Sequence, residues 1–367
     1  MFKTYEKYMK KCIALAKRGE GSVSPNPLVG AIVLDKSDAV VGWGWHQKYG
    51  EPHAEVNAIN MAKNNNAFIQ GGTIIVTLEP CSHFGKTPPC ADLIIKEGIK
   101  KVVIGCVDPN PKVSGNGIKK LRDAGLDVVV GVLESKCKSL NEIFIKNQME
   151  KMPFIAIKTA TTMDGKIATK TGSSKWITSE KARNKVQKLR NKYDAILTGS
   201  GTIIADNPSL TCRMKNGRNP IRVVVDSKAQ ISLDSKVFCD DGTPVFWAVA
   251  EDIKLKKYPK MLDVINCPLI ENKIDLKFLV SELYQKGVKS ILVEAGGTLN
   301  GAFIKQGLVD KVYQFVAPKL LGDNNGKSFV DGFDIVDIND ALCIQIEKVE
   351  SFEPDILIES KFVQIGS

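Results

Sequence analysis

The chain has 367 residues, which at roughly 100–200 residues per domain leaves room for two domains. Hydrophobic residues make up 43% and charged residues 25%, an ordinary globular composition that excludes a fibrous or disordered chain. No apolar run reaches the roughly 18–20 residues that span a bilayer, and residues 1–20 show an amphipathic helical pattern without a secretory apolar segment. We therefore expect a soluble, cytoplasmic protein with no membrane partner.

The net charge and the cysteines bear on the class of partner. The formal net charge is +10, spread as +6 over residues 1–147 and +4 over the remainder, with no basic arm. A basic excess can mark nucleic-acid binding, but this diffuse one fits small phosphorylated ligands or a lysine-rich solvated surface at least as well, and we expect no nucleic-acid partner. The nine cysteines are an odd number, so reduced thiols or metal ligands are expected.

Hydrophobic patterning predicts alternating strands and helices in the first half. After a first helix, the predicted strands cover residues 28–34, 40–45, 73–80, 101–107 and 127–132. The predicted helices cover residues 52–64, 91–98, 117–125 and 134–149. This alternation indicates a sheet covered by helices. The last helix ends before Pro153, which starts a new strand, so the domain boundary is placed near residue 150.

The second half repeats the α/β pattern. Its predicted strands cover residues 153–160, 194–199, 221–226, 244–249, 290–294 and 311–317. Its predicted helices cover residues 179–192, 276–287 and 298–306. Residues 344–360 alternate like a closing β-hairpin, which predicts a sheet that ends in antiparallel strands.

The sharpest functional motif combines one histidine with two cysteines. His53 stands at a predicted helix start, Cys81 follows a strand, and Cys90 opens another helix. One imidazole and two thiolates supply three ligands to tetrahedral Zn²⁺ and leave the fourth position for water, as in catalytic zinc sites. A helix N-terminus also helps to hold Cys90 as a thiolate. Because zinc lowers the pKa of its bound water to about 7, the motif predicts hydrolytic chemistry.

Glu55 is the candidate proton shuttle of this site. Residues i and i+2 do not share a face of a regular helix, so the arrangement requires His53 to lie at the very start of its helix. A His-x-Glu motif with a non-ligand glutamate is typical of zinc deaminases, although their cysteines are separated by two residues and those here by eight. Taken singly, each cysteine could be a small buried hydrophobe and His53 a core or solvent residue. Together they favour a metal site.

Four segments carry a resemblance to a known family: SPNPLVGAIV, GWGWHQKYGEPHAEVNAI, TLEPCSHFGKTPPC and CVDPNPKVSGNG. They resemble the N-terminal domain of the bifunctional riboflavin biosynthesis deaminase/reductases, which have a long insert between the cysteines. The resemblance implies a cytidine-deaminase-like α/β/α domain over residues 1–147. In the family this domain deaminates 2,5-diamino-6-ribosylamino-4(3H)-pyrimidinone 5′-phosphate at C2 and releases ammonia.

By motif position, the resemblance implies that His53, Cys81 and Cys90 bind zinc and that Glu55 is catalytic. It also implies a set of substrate-binding residues in this domain: Asn26, His46, His83, Lys86, Asp108 and Asn110. Amides and carboxylates suit the donor and acceptor edge of a pyrimidine, and a lysine suits a phosphate. Read alone, the two asparagines beside prolines are equally well explained as turn residues.

The second half has two glycine-bearing turns after predicted strands, at 198–202 and 294–298. Neither matches G-x-G-x-x-G, so the pattern alone leaves open a nucleotide site or a simple connection. The segments KTATTMDGKIA, SKWITS, DNPSLT and LVEAGGTLNGAF resemble the reductase domain of the same family. This implies a dihydrofolate-reductase-like α/β domain over residues 150–367 that uses NADPH to reduce the ribosyl group to ribityl.

Motif positions imply two sets of ligand-binding residues in this domain. The NADPH contacts are Ala160, Trp176, Thr202, Asp206, Ser227, Gly296, Gly297 and Thr298, with the loop continuing to Ala302. The substrate contacts are Ser174, Arg190, Leu210, Arg213 and Glu294, and Lys158 and Asp164 are further candidates without an assigned role. Guanidinium groups suit a 5′-phosphate. As alternatives, Arg190 could be a solvated surface residue and Trp176 a core residue.

Three other interpretations stay open from the sequence. One is a deaminase that acts on a base in RNA, with the second half as a binding domain. Another is a non-enzymatic binding module in which zinc only stabilises the fold, and a third is a chain in which one half is inactive. The family resemblance favours two activities on a phosphorylated pyrimidine in a homo-oligomer, either a dimer or a tetramer.

Overall fold

The computed structural model describes residues 2–84, 88–110, 114–253, 259 and 262–362. It divides into two compact units, Met1–Lys151 and Met152–Ser367. None of the helices in the described ranges is both long enough and apolar enough to cross a membrane.

The first unit is built on a mixed sheet. Its strands in the described ranges are β1 (Gly30–Leu34), β2 (Val40–Trp45), β3 (Thr73–Leu78), β4 (Lys101–Cys106) and β5 (Asp127–Val130). They lie in the order β2-β1-β3-β4-β5. β1 is antiparallel to both β2 and β3, whereas β3, β4 and β5 are parallel. β3 is buried along its whole length, as expected for a strand covered on both faces.

Helices cover this sheet. They are α1 (Phe2–Ala16), α2 (Ala54–Asn64), α3 (Cys90–Lys96), α4 (Asn116–Asp123), α5 (Glu134–Leu140) and α6 (Glu142–Glu150). α1 packs on β1 and β3, and α2 packs on β1 and β2. A Cβ atom at Gly30 would lie 2.1 Å from the carbonyl oxygen of Cys12, so only glycine permits α1 to lie this close to β1.

The prediction of a single helix over residues 134–149 is wrong. The segment forms α5 and α6, which are separated at Asn141, where φ is −111°. The buried Asn141 side chain accepts a hydrogen bond from Leu28 N at 2.8 Å and donates one to Leu28 O at 3.0 Å. This tertiary pairing of an amide with a distant backbone stabilises the break, and helical periodicity carries no sign of it.

The second unit contains a larger sheet. In the described ranges its strands are β6 (Phe154–Thr162), β8 (Ala195–Gly199), β9 (Ile221–Val225), β10 (Val245–Ala250), β11 (Leu262–Cys267), β14 (Ser290–Val293), β15 (Lys311–Ala317), β17 (Ile344–Phe352) and β18 (Asp355–Phe362). Their order is β11-β10-β9-β8-β14-β6-β15-β18-β17. The pairs from β11 through β15 are parallel, and β18 and β17 close the sheet as an antiparallel hairpin, as the alternation of residues 344–360 predicts.

Two short ribbons and four α-helices belong to the part of this unit that the structure describes. The ribbons pair β7 (Lys166–Ala168) with β16 (Lys327–Ser328) and β12 (Leu269–Ile270) with β13 (Lys273–Ile274). The helices are α7 (Glu180–Lys192), α8 (Ser200–Asp206), α9 (Leu276–Gln285) and α10 (Gly297–Lys305). α8 and α10 begin within the two glycine-bearing turns. Both turns therefore present a helix N-terminus at the end of a parallel strand.

Candidate functional site

The three predicted zinc ligands lie together in the first unit. His53 precedes α2 with an extended backbone, Cys81 follows β3, and Cys90 is the first residue of α3. Their ligand atoms all lie within 4.8 Å of one another. His53 Nδ1 is 3.7 Å from Cys81 Sγ and 3.4 Å from Cys90 Sγ. Because His53 lies before the first helical residue, its ring direction is independent of the helical spacing to Glu55.

The hydrogen bonds of this cluster shift the pKa values of its two cysteines in opposite directions. A hydrogen bond from Cys90, followed by one with His53, lowers the pKa of Cys81 to about 4. The same Cys81–Cys90 hydrogen bond, together with burial, raises the pKa of Cys90 well above its usual range. The backbone N–H of Cys90 also donates to Cys81 Sγ at 3.3 Å, which stabilises a thiolate. One imidazole and two sulfur ligands are the donors of a catalytic zinc site, so the residues present fit zinc.

Glu55 is buried beside this cluster. Its side chain is on the first turn of α2 and is only 4% exposed. Burial, and then the negative charge of Cys81, raise the pKa of Glu55 to about 7. A carboxyl group with such a pKa can both accept and donate a proton near neutral pH.

A cavity of about 350 Å³ opens onto His53, Glu55 and Cys81. It is also lined by every predicted substrate residue of this unit that the structure describes, namely Asn26, His46, His83, Asp108 and Asn110. Lys86 lies outside the described residues. The structure therefore brings together residues that are up to 84 positions apart in the sequence, counted from Asn26 to Asn110.

A hydrogen-bond chain fixes the orientation of His46 in this cavity. Its Nδ1 lies 3.2 Å from the carbonyl oxygen of Pro52, and its Nε2 lies 3.1 Å from the side-chain nitrogen of Asn26. Since a carbonyl only accepts, Nδ1 carries the proton, and the Nε2 lone pair accepts from the Asn26 amide. Burial lowers the pKa of His46, which favours this neutral form. The Asn26 carbonyl oxygen is then free to face a ligand.

In the second unit, Glu294 forms a cluster with two cations, and the three side chains are only 10–17% exposed. It directly follows β14, and it accepts hydrogen bonds from Arg190 Nε at 2.8 Å, Arg190 Nη2 at 3.0 Å and Lys158 Nζ at 3.2 Å. Burial alone raises its pKa, but the charges of Arg190 and Lys158 outweigh burial and lower the pKa of Glu294 to about 2. Two cations and one anion leave an excess of one positive charge, which suits a phosphorylated ligand.

Several other predicted site residues of the second unit are connected by hydrogen bonds, an ion pair or a ring contact. Arg190 Nη1 donates to Thr211 O at 2.9 Å, which ties the cluster to the segment of Leu210 and Arg213. Lys175 pairs with Asp206 at 3.1 Å, and the Arg183 guanidinium lies 4.5 Å from the centre of the exposed Trp176 ring.

Several predicted ligand contacts carry side chains that are not engaged elsewhere. Ser174, Thr202 and Ser227 have hydroxyl groups with no hydrogen-bond partner in the described ranges. Ala160 is on β6, and Gly296 to Thr298 form the start of α10. These positions supply half-buried hydroxyls and backbone N–H groups, which is the chemistry that phosphate and ribose groups require.

Comparison with known proteins places this chain in a family. Residues 153–358 match the model of the RibD C-terminal domain, and residues 2–106 match the cytidine and deoxycytidylate deaminase zinc-binding region. The chain is 42% identical over 354 residues to the riboflavin biosynthesis protein RibD of Bacillus amyloliquefaciens, covering 96% of this chain and 94% of that one. The chain belongs to the RibD family of riboflavin biosynthesis proteins. The family resemblance predicted from the sequence is confirmed.

Other members of the RibD family agree in sequence and fold. The Escherichia coli protein is 38% identical, covering 96% of this chain and 98% of that one. A crystal structure from Thermotoga maritima, described as a diaminohydroxyphosphoribosylaminopyrimidine deaminase/5-amino-6-(5-phosphoribosylamino)uracil reductase, is 41% identical with a TM-score of 0.89, and the match covers 99% of each chain. The prediction of a cytidine-deaminase-like domain followed by a dihydrofolate-reductase-like α/β domain is confirmed.

One buried carboxylate of the RibD-family cavity was not among the predicted site residues. Glu79 directly follows β3, is 4% exposed and lines the cavity. Its two oxygens accept backbone hydrogen bonds at 2.9–3.1 Å from four residues: Asp108, Gly115, Gly117 and Ile118. Glu79 therefore ties the backbone of Asp108 to the backbone at the start of α4. The only sequence signal is its place beside Pro80-Cys81, since its partners lie 29 to 39 residues later.

Proposed function

We propose that this chain catalyses two consecutive steps of riboflavin biosynthesis. The first is hydrolytic deamination of 2,5-diamino-6-ribosylamino-4(3H)-pyrimidinone 5′-phosphate. The second is NADPH-dependent reduction of the ribosyl group, which gives 5-amino-6-ribitylamino-2,4-pyrimidinedione 5′-phosphate. The observation that carries the proposal is the His53–Cys81–Cys90 cluster with buried Glu55 in one cavity, within a chain that matches its RibD relatives over both units. We assign the deaminase to residues 1–147 and the reductase to residues 150–367.

In the deaminase, His53, Cys81 and Cys90 hold zinc. The metal, when bound, supplies a Lewis acid that makes water a nucleophile at neutral pH. Glu55 accepts a proton from the attacking water and delivers one to the departing amine, because its carboxyl group faces the same cavity as the ligands. Water adds at C2 of the pyrimidine, the C2–N bond breaks, and ammonia leaves.

The remaining polar residues of the deaminase cavity orient the pyrimidine. Asn26, held by His46, presents an amide oxygen, while Asp108, whose backbone N–H donates to Glu79, and Asn110 present further polar groups. His83 and Lys86 follow Cys81 closely in the chain and bind the substrate from the insert, with Lys86 directed to the phosphate. Positioning of this kind converts binding energy into a defined approach of water to C2.

In the reductase, the strand-end residues bind NADPH and the deaminated substrate. Arg190 and Arg213 bind the negatively charged substrate, and Glu294 holds the Arg190 guanidinium in place through two hydrogen bonds. Ser174 and Leu210 complete the substrate contacts. The NADPH contacts are Ala160, Trp176, Thr202, Asp206, Ser227, Gly296, Gly297 and Thr298. When bound, NADPH would supply the hydride for C1′ of the sugar, so the role of these residues is to hold the nicotinamide and the sugar in line.

We also propose a homo-oligomer, either a dimer or a tetramer, in the cytoplasm, with no nucleic-acid or membrane partner. Strand β17 is at the edge of the nine-stranded sheet and exposes Ile344, Ile346 and Val349. An exposed edge strand with apolar side chains favours association. Light scattering of the purified chain tests this, and a monomer at assay concentration contradicts it.

A paired assay tests the two activities. Purified zinc-loaded protein is given the diaminopyrimidinone ribosyl phosphate with and without NADPH, and ammonia release and NADPH oxidation are both followed. Ammonia release without NADPH, and oxidation only after deamination, are expected. Ammonia without oxidation would confine the proposal to the first unit. Neither signal from folded, zinc-loaded protein would overturn the proposal, and tight salt-dependent RNA binding would then favour an RNA-editing function.

A further inference from the structure

Helix α6 presents two side chains to the deaminase cavity that the motifs do not identify. Phe144 and Gln148 are one helical turn apart, at i and i+4, and both line the cavity with His53 and Glu55. Such spacing places side chains on one face of a helix. The Gln148 side chain is half-buried, and its amide makes no hydrogen bond to any residue in the described ranges.

Three other polar side chains on this cavity wall, those of Asn26, Glu79 and Asp108, already have hydrogen-bond partners in the protein. Asn26 is bonded to His46, and Glu79 accepts four backbone hydrogen bonds. One oxygen of Asp108 accepts from Asn110 N at 2.8 Å. Gln148 thus differs from them, because its whole amide, two donors and one acceptor, is available to a ligand.

We propose that Gln148 is a specificity-determining residue of the deaminase, whose amide hydrogen-bonds the polar edge of the pyrimidine while Phe144 contacts the ring. This rests on the deaminase function proposed above. A pyrimidinone with amino substituents offers adjacent donors and acceptors, which a carboxamide complements with one group of each kind. An aromatic side chain beside it supplies the apolar contact that a planar ring requires.

The fold holds this helix face in a fixed position. α6 starts directly after Asn141, whose side chain makes two hydrogen bonds to the Leu28 backbone. Leu28 follows Pro27 and Asn26, which line the same cavity. The Asn141–Leu28 pair therefore links the first turn of α6 to the loop on which Asn26 lies, so that Gln148 and Asn26 are positioned before substrate binds.

The test replaces Gln148 by methionine, which keeps the side-chain length and a similar helix propensity. We expect the KM for the diaminopyrimidinone ribosyl phosphate to rise roughly 5- to 100-fold, the effect of two lost hydrogen bonds, with kcat within about twofold, because the contact acts in binding rather than in chemistry. Gln70→Met is the matched control, since Gln70 is exposed in the same unit and does not line the cavity. Gln148→Glu loses both N–H donors and should also raise the KM.

Zinc content and NADPH oxidation with deaminated substrate report whether each variant is folded. If the wild type releases ammonia and the KM of folded Gln148→Met stays within twofold of it, the inference is overturned and the deaminase function stands. If the wild-type protein releases no ammonia, both are overturned. A KM increase in Gln148→Met that the Gln70→Met control lacks supports the inference.

Discussion

Glu294→Gln should destabilise the unit Met152–Ser367 by about 3 kcal/mol at neutral pH. The charges around Glu294 lower its pKa from the usual 4.5 to about 2, and each pKa unit corresponds to about 1.4 kcal/mol. Removal of one partner from a buried ion pair costs about 3–5 kcal/mol in other proteins, which agrees. The glutamine keeps the shape of the side chain but leaves Arg190 and Lys158 buried beside a neutral amide.

The stabilisation by Glu294 should depend on pH in a defined direction. Because the pKa of Glu294 is lower in the folded than in the unfolded chain, its stabilisation is complete above about pH 4.5 and is lost as the pH falls towards 2. The difference in unfolding free energy between the wild type and Glu294→Gln should therefore be about 3 kcal/mol at pH 7 and should shrink steadily below pH 4.5.

Amide hydrogen exchange of β14 and α7, resolved by mass spectrometry, measures this difference within the second unit. The two proteins are compared at equal pH, so that intrinsic exchange rates cancel. Glu251→Gln, which changes an exposed carboxylate of the same unit, is the control and should leave protection unchanged. Equal protection of the wild type and Glu294→Gln at pH 7, or a difference that grows as the pH falls, would refute the reasoning.

Three further predictions concern the deaminase and its independence from the reductase. Glu55→Gln should lower ammonia release by about 10²- to 10⁴-fold with zinc content retained, because Glu55 is not one of the three clustered ligands; loss of zinc from the variant would contradict this. Glu79→Gln places an amide N–H against backbone donors and should lower the free energy of local unfolding at the start of α4 by about 1–3 kcal/mol. Faster hydrogen exchange of the α4 amides would show this loss, and unchanged protection would count against the role of Glu79. Chelation of zinc should stop ammonia release but not NADPH oxidation with deaminated substrate, and the loss of both would show that the two sites depend on each other.

Much of the fold could be predicted because long elements carry a clear apolar pattern, either a continuous run in a buried strand or a helical period in a helix. β6 and α7 are examples, with nine and thirteen residues. Short elements lack that signal: α8 has seven residues, and the ribbon strand β12 has two. The break between α5 and α6 was missed for another reason, since Asn141 pairs with Leu28, 113 positions away.

Some residues of the candidate site could be predicted from the sequence, and others could not. The zinc ligands and Glu55 are identifiable because their residue types recur at a recognisable spacing, and the structure adds that His53 lies before α2, which makes the i, i+2 spacing workable. Glu79 and Gln148 have no such motif. Their involvement depends on which loop ends beside β3 and on which face α6 turns to the cavity, and both are properties of the tertiary fold.

Three carboxylates at the ends of parallel strands differ in the groups that they hold in place. Glu79 after β3 and Asp226 after β9 accept backbone N–H groups, in the case of Asp226 that of Ile231 at 3.0 Å. Glu294 after β14 instead holds the long side chains of Arg190 and Lys158. Backbone partners fix the position of loop residues, whereas cationic side chains carry charge. Glu294 is therefore the carboxylate that holds charged side chains in place, and the other two determine where loop residues lie.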